Sequence, residues 1–311
     1  MTVSSTATVS NTTAPTQFVT AEDSKYAYRQ FGSGPGLPLL FLQHFTGTLD
    51  GWDPAVTDPL ATGRSVILFE SAGIGRSNGK VPTTVAGMAS HAMKFLDALG
   101  LNRVDVVGFS LGGMVAQVIA WQRPSLFRRI ILTGTGPEGG VGVAMDRPEL
   151  LKIFVDQQMP MSEKLLKLFF ATTETSQSAG RKFVQRLAQR TADKDIPTTA
   201  EAAGAQLAAM SAWEKFGGEP YADLKKITQP VLVTNGNNDI MIPTVNSFIL
   251  SEHLPNAQLI IYPDSGHGSL FQALWRIHRS CIRVPRAKVT WLSSGGTNPN
   301  ERIQCKAQVE N

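Results

Sequence analysis

The chain has 311 residues, of which 42% are hydrophobic and 17% charged; that balance can bury a core and excludes both a disordered chain and a small disulfide-stapled scaffold. No uninterrupted apolar run approaches the roughly 18 residues of a membrane span. The net charge of +4 is a local matter, because from Gln272 onward seven Lys or Arg face two acids, leaving 22 basic against 23 acidic groups in residues 1–271; with no aromatic-interleaved basic face or finger spacing, this argues against nucleic-acid binding.

Residues 1–15 are rich in Ser and Thr and lack the cationic start and apolar stretch of a secretory signal. Residues 1–16 are therefore expected to form a disordered leader, and the compartment to be cytoplasmic. From residue 17, β-rich runs alternate with helical patterns, as in a parallel sheet covered on both faces. The predicted strands are 26–31, 39–43, 65–69, 104–108 and 129–132, with a Gly/Pro turn at 32–36. Between them, Val85, Met88, Ala92, Phe95 and Leu99 recur at helical spacing over 83–99, and Gly100 is the stop signal. From Gly136 to Gly218 the β signal disappears, and three helical segments replace it at 148–171, 178–193 and 199–216. Strands resume at 230–235 and 258–262 around a helix near 244–253. The expected organisation is an α/β core over 17–136 and 219–283. A helical cap over 137–218 is inserted above the sheet's C-terminal edge, where such sheets bind ligands. An irregular basic tail follows over 284–311. Both cysteines, Cys281 and Cys305, lie in that tail, which gives neither a disulfide framework nor a metal site.

The strongest local signal is Val106-Val107-Gly108-Phe109-Ser110-Leu111-Gly112-Gly113-Met114, an apolar strand, a G-x-S-x-G turn and a helical run. A serine on a sharp strand-to-helix turn is lifted above the sheet. Gly108 and Gly112 remove the side chains that would collide there, and the helix N-terminus favours developing negative charge. Ser110 is thus the candidate nucleophile, against the alternative of a solvated serine in a glycine-rich turn. Its proton needs a base. His91 and His253 fall within helical patterns, His278 in the tail, and His44 precedes the nucleophile. His267 follows the last predicted strand with Gly266 and Gly268 on either side and is the candidate base. The acid that fixes its tautomer is Asp239, at the end of the strand that reopens the sheet. Asp264 is the competitor and more suited to organising its loop. For the oxyanion, the N–H of Leu111 pairs with a donor from the loop after 39–43, Thr46 being the first choice and Phe45 the second. His44 then ties that loop down.

Taken together, Gln43-His44-Phe45-Thr46-Gly47, Gly73-Ile74-Gly75-Arg76-Ser77, the nucleophile turn, Asn238-Asp239 with Pro243, and Gly266-His267-Gly268 resemble the α/β-hydrolase fold superfamily. The group includes serine esterases, non-haem haloperoxidase-like enzymes and fungal secondary-metabolite hydrolases. The resemblance covers residues 17–271 and implies a mostly parallel sheet of about eight strands with helices on both faces, a helical cap after the sixth strand, and no cofactor or metal. Phe45 stands where the family's usual glycine would be, and Phe69-Glu70-Ser71-Ala72-Gly73 replaces its common Asp-x-Arg-Gly turn. The function implied is a serine hydrolase cleaving an ester or related acyl bond of a small, apolar substrate through an acyl-enzyme, in secondary metabolism among other settings. The alternatives are a perhydrolase or haloperoxidase-like enzyme, or a ligand-binding or lyase/cyclase role on the same scaffold. Phe154, Phe169, Phe170, Trp213 and Phe216 are available either to line an acyl pocket or to pack the cap on the sheet.

Overall fold

Residues buried on both sides of a sheet must be apolar in succession, and Val104–Phe109 is buried at all six positions. It runs through the middle of the sheet. The computed structural model describes residues 9–144 and 147–273. In chain order these form β1 (Gln17–Ala21), β2 (Ser24–Phe31), β3 (Ser33–Leu42), α1 (Pro54–Leu60), β4 (Thr62–Phe69), α2 (Val85–Ala98), β5 (Val104–Phe109), α3 (Leu111–Gln122) and β6 (Phe127–Thr133). Four inserted helices follow, α4 (Pro148–Val155), α5 (Met161–Phe169), α6 (Glu174–Leu187) and α7 (Ala200–Trp213). The chain then returns through β7 (Val231–Gly236), α8 (Val245–His253), β8 (Ala257–Tyr262) and α9 (Ser269–Gln272).

The strands make one sheet in the order β1-β2-β4-β3-β5-β6-β7-β8. β2 pairs antiparallel with β1 and with β4, and every other pairing is parallel. The chain therefore leaves β3 toward β4 on one side and later fills the other side with β5. The crevice at the C-terminal ends of β3 and β5, where Leu42 lies opposite Gly108, is the topological switch point at which open α/β sheets bind ligands. Local signals set the helix ends. Thr84, Thr173 and Thr199 cap α2, α6 and α7 with their side chains, and Asp53 caps α1 ahead of Pro54. Among the described residues no helix is long and apolar enough to cross a membrane.

Several expectations need correction. Residues 9–16, assigned to a disordered leader, are held in place. Asn11 donates from its amide to the Trp52 carbonyl (3.0 Å) and to Thr57 Oγ1 (2.8 Å), Ala14 is fully buried, and Arg190 donates to the carbonyls of Asn11 and Ala14. Short polar side chains serve here as hydrogen-bonding partners for buried backbone, a use that composition cannot distinguish from solvation. Of the turn expected at 32–36, residues 33–36 are instead the start of β3, whose bulged first half lies against β4. A Cβ on Gly34 would come within 2.5 Å of Gly63 backbone, so this approach demands glycine. The single segment 148–171 is two helices, because Pro160 has no N–H to continue the first and its ring would clash with the preceding turn. The hairpin strand β1 was not among the predicted strands. The expectations for residues 1–8 and for the tail over 284–311 lie outside the described residues.

Candidate functional site

β5 delivers Ser110 to the switch point in a conformation that non-glycine residues rarely adopt, φ 55° and ψ −120°. Such strain, costing about 1–3 kcal/mol, persists only where the surroundings impose it. They do so here from β6: Ser110 N donates to the Thr133 carbonyl (2.9 Å) and Thr135 Oγ1 donates to the Ser110 carbonyl (2.8 Å). The turn is too crowded for side chains at its flanks. A Cβ on Gly112 would lie 2.0 Å from the Leu42 carbonyl oxygen, and one on Gly108 would meet Gly112 and Gly113 at 2.7 Å. Ser110 Oγ is buried and makes no hydrogen bond among the described residues.

The loops after β7 and β8 bring Asp239 and His267 together. Asp239 Oδ1 accepts from the N–H groups of Met241 (2.8 Å) and Ile242 (2.9 Å), which leaves Oδ2 to accept from His267 Nδ1 at 2.8 Å. With the proton held on Nδ1, Nε2 presents a lone pair, and it too is buried without a partner. The imidazole packs against Phe109 (4.9 Å between centroids) and Phe169 (5.5 Å). Since Phe109 directly precedes Ser110, and a Cβ on Gly134, one residue past Thr133, would lie 3.1 Å from both His267 Nδ1 and Phe109, the two unpartnered atoms share one neighbourhood. Asp264, the competing acid, instead accepts from Thr173 Oγ1 at 2.6 Å and ties the start of α6 to the histidine loop. His91 pairs with the Tyr26 hydroxyl, and His253 stacks on Tyr221.

The loop after β3 changes one assignment. A turn closed by Gly47 N to the His44 carbonyl (3.0 Å) places Thr46 at φ 58°. The N–H of Thr46, the first choice as oxyanion donor, is taken by Gln206 Oε1 of α7 at 2.7 Å, so Thr46 is not available in that role. Among the described residues the N–H groups of Phe45 and Leu111 make no hydrogen bond, which leaves Phe45, the second choice, as a free donor beside Thr46. Gln43 joins His44 in holding the loop: its side chain accepts from His44 N (2.9 Å) and donates to the Thr48 carbonyl (2.7 Å).

His44 itself joins the site. Its Nδ1 donates to the Phe45 carbonyl (2.8 Å), and its ring packs on Phe109 and Phe169, the two phenyl groups that also contact His267. Burial first, and then the nearby His267, push its pKa down to about 4, so His44 is neutral near pH 7. Glu70, at the end of β4, is pushed the other way, up to about 7, by burial and then by Asp195, against the backbone donors Arg76 and Leu49. It braces the turn that follows, accepting from Arg76 N at 2.7 Å.

Of the five aromatic residues from the inserted helices, Phe169 covers the two histidines and Phe154 packs on Phe45 (5.4 Å). Trp213 stacks on Trp121, Phe170 packs on Phe183, and Phe216 is exposed; these are packing residues. Gln206 went unremarked in the sequence, although its signal is present: it is the lone polar residue on the face Ala202, Gln206, Ala209, Met210, Trp213 that α7 buries. Among the described residues no three His, Cys, Asp or Glu side chains gather to hold a metal ion.

A family model described as alpha/beta hydrolase fold matches residues 38–274. A solved alpha/beta hydrolase fold protein from Chitinophaga pinensis is 39% identical, with a TM-score of 0.82 over 89% of this chain and 100% of that one. An uncharacterized protein of Mycobacterium tuberculosis is 28% identical over 81% of this chain and 75% of its own. A poly(3-hydroxyalkanoate) depolymerase of Ectopseudomonas oleovorans is 28% identical over 74% of this chain and 77% of its own.

Proposed function

The chain belongs to the α/β-hydrolase fold family, and from that premise we propose that it is a serine hydrolase that cleaves an ester or related acyl bond of a small, apolar substrate through an acyl-enzyme. The observation that carries this reading is the presence in one neighbourhood of two buried atoms that make no hydrogen bond among the described residues, Ser110 Oγ on its strained turn and His267 Nε2, with Asp239 already bonded to the far side of the imidazole. Ser110 Oγ attacks the acyl carbon as His267 Nε2 takes its proton. The N–H groups of Phe45 and Leu111 receive the charge that develops on the acyl oxygen, each such donor being worth about 2.7–4 kcal/mol. His267 returns the proton to the departing alcohol, and water then repeats the sequence on the acyl-enzyme. The phenyl rings of Phe154 and Phe169 suit an apolar acyl group. A relative named as a depolymerase of poly(3-hydroxyalkanoate) agrees with acyl-bond hydrolysis without fixing the substrate. The inserted helices act as the cap over this site.

Covalent labelling with a fluorophosphonate tests the reading. Wild-type protein is expected to label and to hydrolyse short p-nitrophenyl esters, and Ser110→Ala to do neither while keeping its melting temperature within a few degrees. A folded wild type that neither labels nor hydrolyses any member of the ester series removes this function.

A further inference from the structure

A β-branched residue with positive φ relaxes unless its neighbours hold it, and Thr46, at φ 58°, is held from outside its own loop. Its N–H donates to Gln206 Oε1 (2.7 Å) and its carbonyl accepts from Thr198 Oγ1 (2.8 Å). Both partners belong to the insertion, Gln206 to α7 and Thr198 to the segment leading into it. The insertion thus grips both sides of the residue that follows Phe45, whose N–H makes no hydrogen bond among the described residues. A second observation makes the grip conditional. Ser110 and His267 are each 0% exposed, so not even a water-sized probe reaches them as the helices now sit. Substrate can contact Ser110 Oγ only after some part of the structure over it gives way, and α7 and Phe154 of α4 are parts of the insertion that touch the loop.

We infer that the cap completes the oxyanion hole: Gln206, with Thr198, is a positioning residue that holds the Thr46 turn, and hence the Phe45 N–H, in its productive orientation only while the cap is docked. This rests on the serine-hydrolase reading and deepens it. Opening to admit substrate would release the turn, and closing would restore it, so that attack by Ser110 is favoured over a closed, substrate-filled pocket. Gln206 suits this use because its carboxamide oxygen reaches the loop from a helix face otherwise made of Ala202, Ala209, Met210 and Trp213, whose small members allow close approach.

The test compares Gln206→Met, which keeps volume and removes the acceptor, with wild type in steady-state hydrolysis of a p-nitrophenyl ester and in the rate of fluorophosphonate labelling. Loss of one oxyanion donor typically costs 10²–10³ in kcat; misplacing one is expected to lower kcat and the labelling rate by roughly tenfold to a hundredfold, with KM changed less than about threefold. Thr198→Val, at a half-exposed position, is expected to give a smaller loss in the same sense and serves if Gln206→Met does not fold. The decisive arm is Thr46→Gly. Glycine takes positive φ without strain, so in the Thr46→Gly background Gln206→Met should lose much less than it does alone. A merely structural role for Gln206, or direct contact with substrate, would leave that loss unchanged and overturn the inference, as would variants that label as fast as wild type. Should wild type itself neither label nor hydrolyse, the underlying hydrolase reading fails and this inference falls with it; a labelling wild type with an indifferent Gln206 defeats the inference alone.

Discussion

Asp239 divides its two oxygens between separate tasks, and a single-atom change can separate them. In Asp239→Asn the side-chain oxygen can still accept from Met241 and Ile242, but the amide nitrogen then faces His267 Nδ1. The ring must place its proton on Nε2, where it can no longer accept one from Ser110. The expected outcome is a fall in kcat of about 10⁴ with the fold intact, measured by ester hydrolysis beside thermal melting; a loss below tenfold would remove Asp239 as the residue that fixes the tautomer of His267. These residues were legible in the sequence because each lies beside glycines or at a strand end that its chemistry requires. Gln206 was not, because one glutamine among alanines in a helix looks like a solvated position until the buried face of α7 is known. That the Thr46 N–H is taken is hidden in the sequence for the same reason: which N–H in a tight turn is free depends on a partner 160 residues away.

At the scale of elements, the insertion is fastened to the core by buried ion pairs as well as by apolar contact. Arg186 of α6 binds both oxygens of Asp53, at 2.8 and 2.6 Å, and the Asp53 side chain is wholly buried while it also caps α1. Arg29, fully buried in β2, bonds Asp50 and Asp195 at 2.6 Å each. Removing one partner of such a pair leaves a charge in a poor solvent. Arg186→Met is therefore expected to destabilise by about 3–5 kcal/mol, read from urea unfolding. Asp53→Asn combined with Arg186→Met should recover a good part of that loss, since asparagine still caps the helix. If the single and the double variant unfold at the same urea concentration, the fastening is not electrostatic. Strand and helix periodicity showed the sheet and the inserted helices before any coordinates. It could not show that Arg186 pairs with Asp53 or Arg29 with Asp195, residues more than a hundred positions apart, nor that polar residues 9–16 would be enlisted to satisfy Arg190.

For the whole molecule, two buried groups titrate out of place in opposite directions. Glu70 holds its proton up to about pH 7 in the fold, against 4.5 ordinarily. Between those values the native state binds the proton that the unfolded chain has released, so stability falls as pH rises through this window and is level above it. His44 behaves in reverse: its pKa is about 4 in the fold against 6.5 ordinarily, the unfolded chain binds the extra proton between those values, and stability falls as pH drops from 6.5 to 4. Their slopes oppose each other over nearly the same interval, so wild type should show a flatter profile than either single variant. Glu70→Gln is expected to gain on wild type in melting temperature as pH rises from 4.5 to 7, and His44→Gln to gain on it as pH falls from 6.5 to 4. Parallel profiles for wild type and both variants would contradict this.

The imidazole of His267 is fixed by a carboxylate on one nitrogen and by two phenyl groups packed against its ring. If the proposed function holds, one stationary nitrogen serves the outgoing alcohol and the incoming water in succession, from the same spot. On the proposed acyl-enzyme route the two cannot be present together, so turnover is expected to be of the ping-pong kind, and any small alcohol able to reach that spot is expected to compete with water for the acyl group, diverting hydrolysis into transesterification.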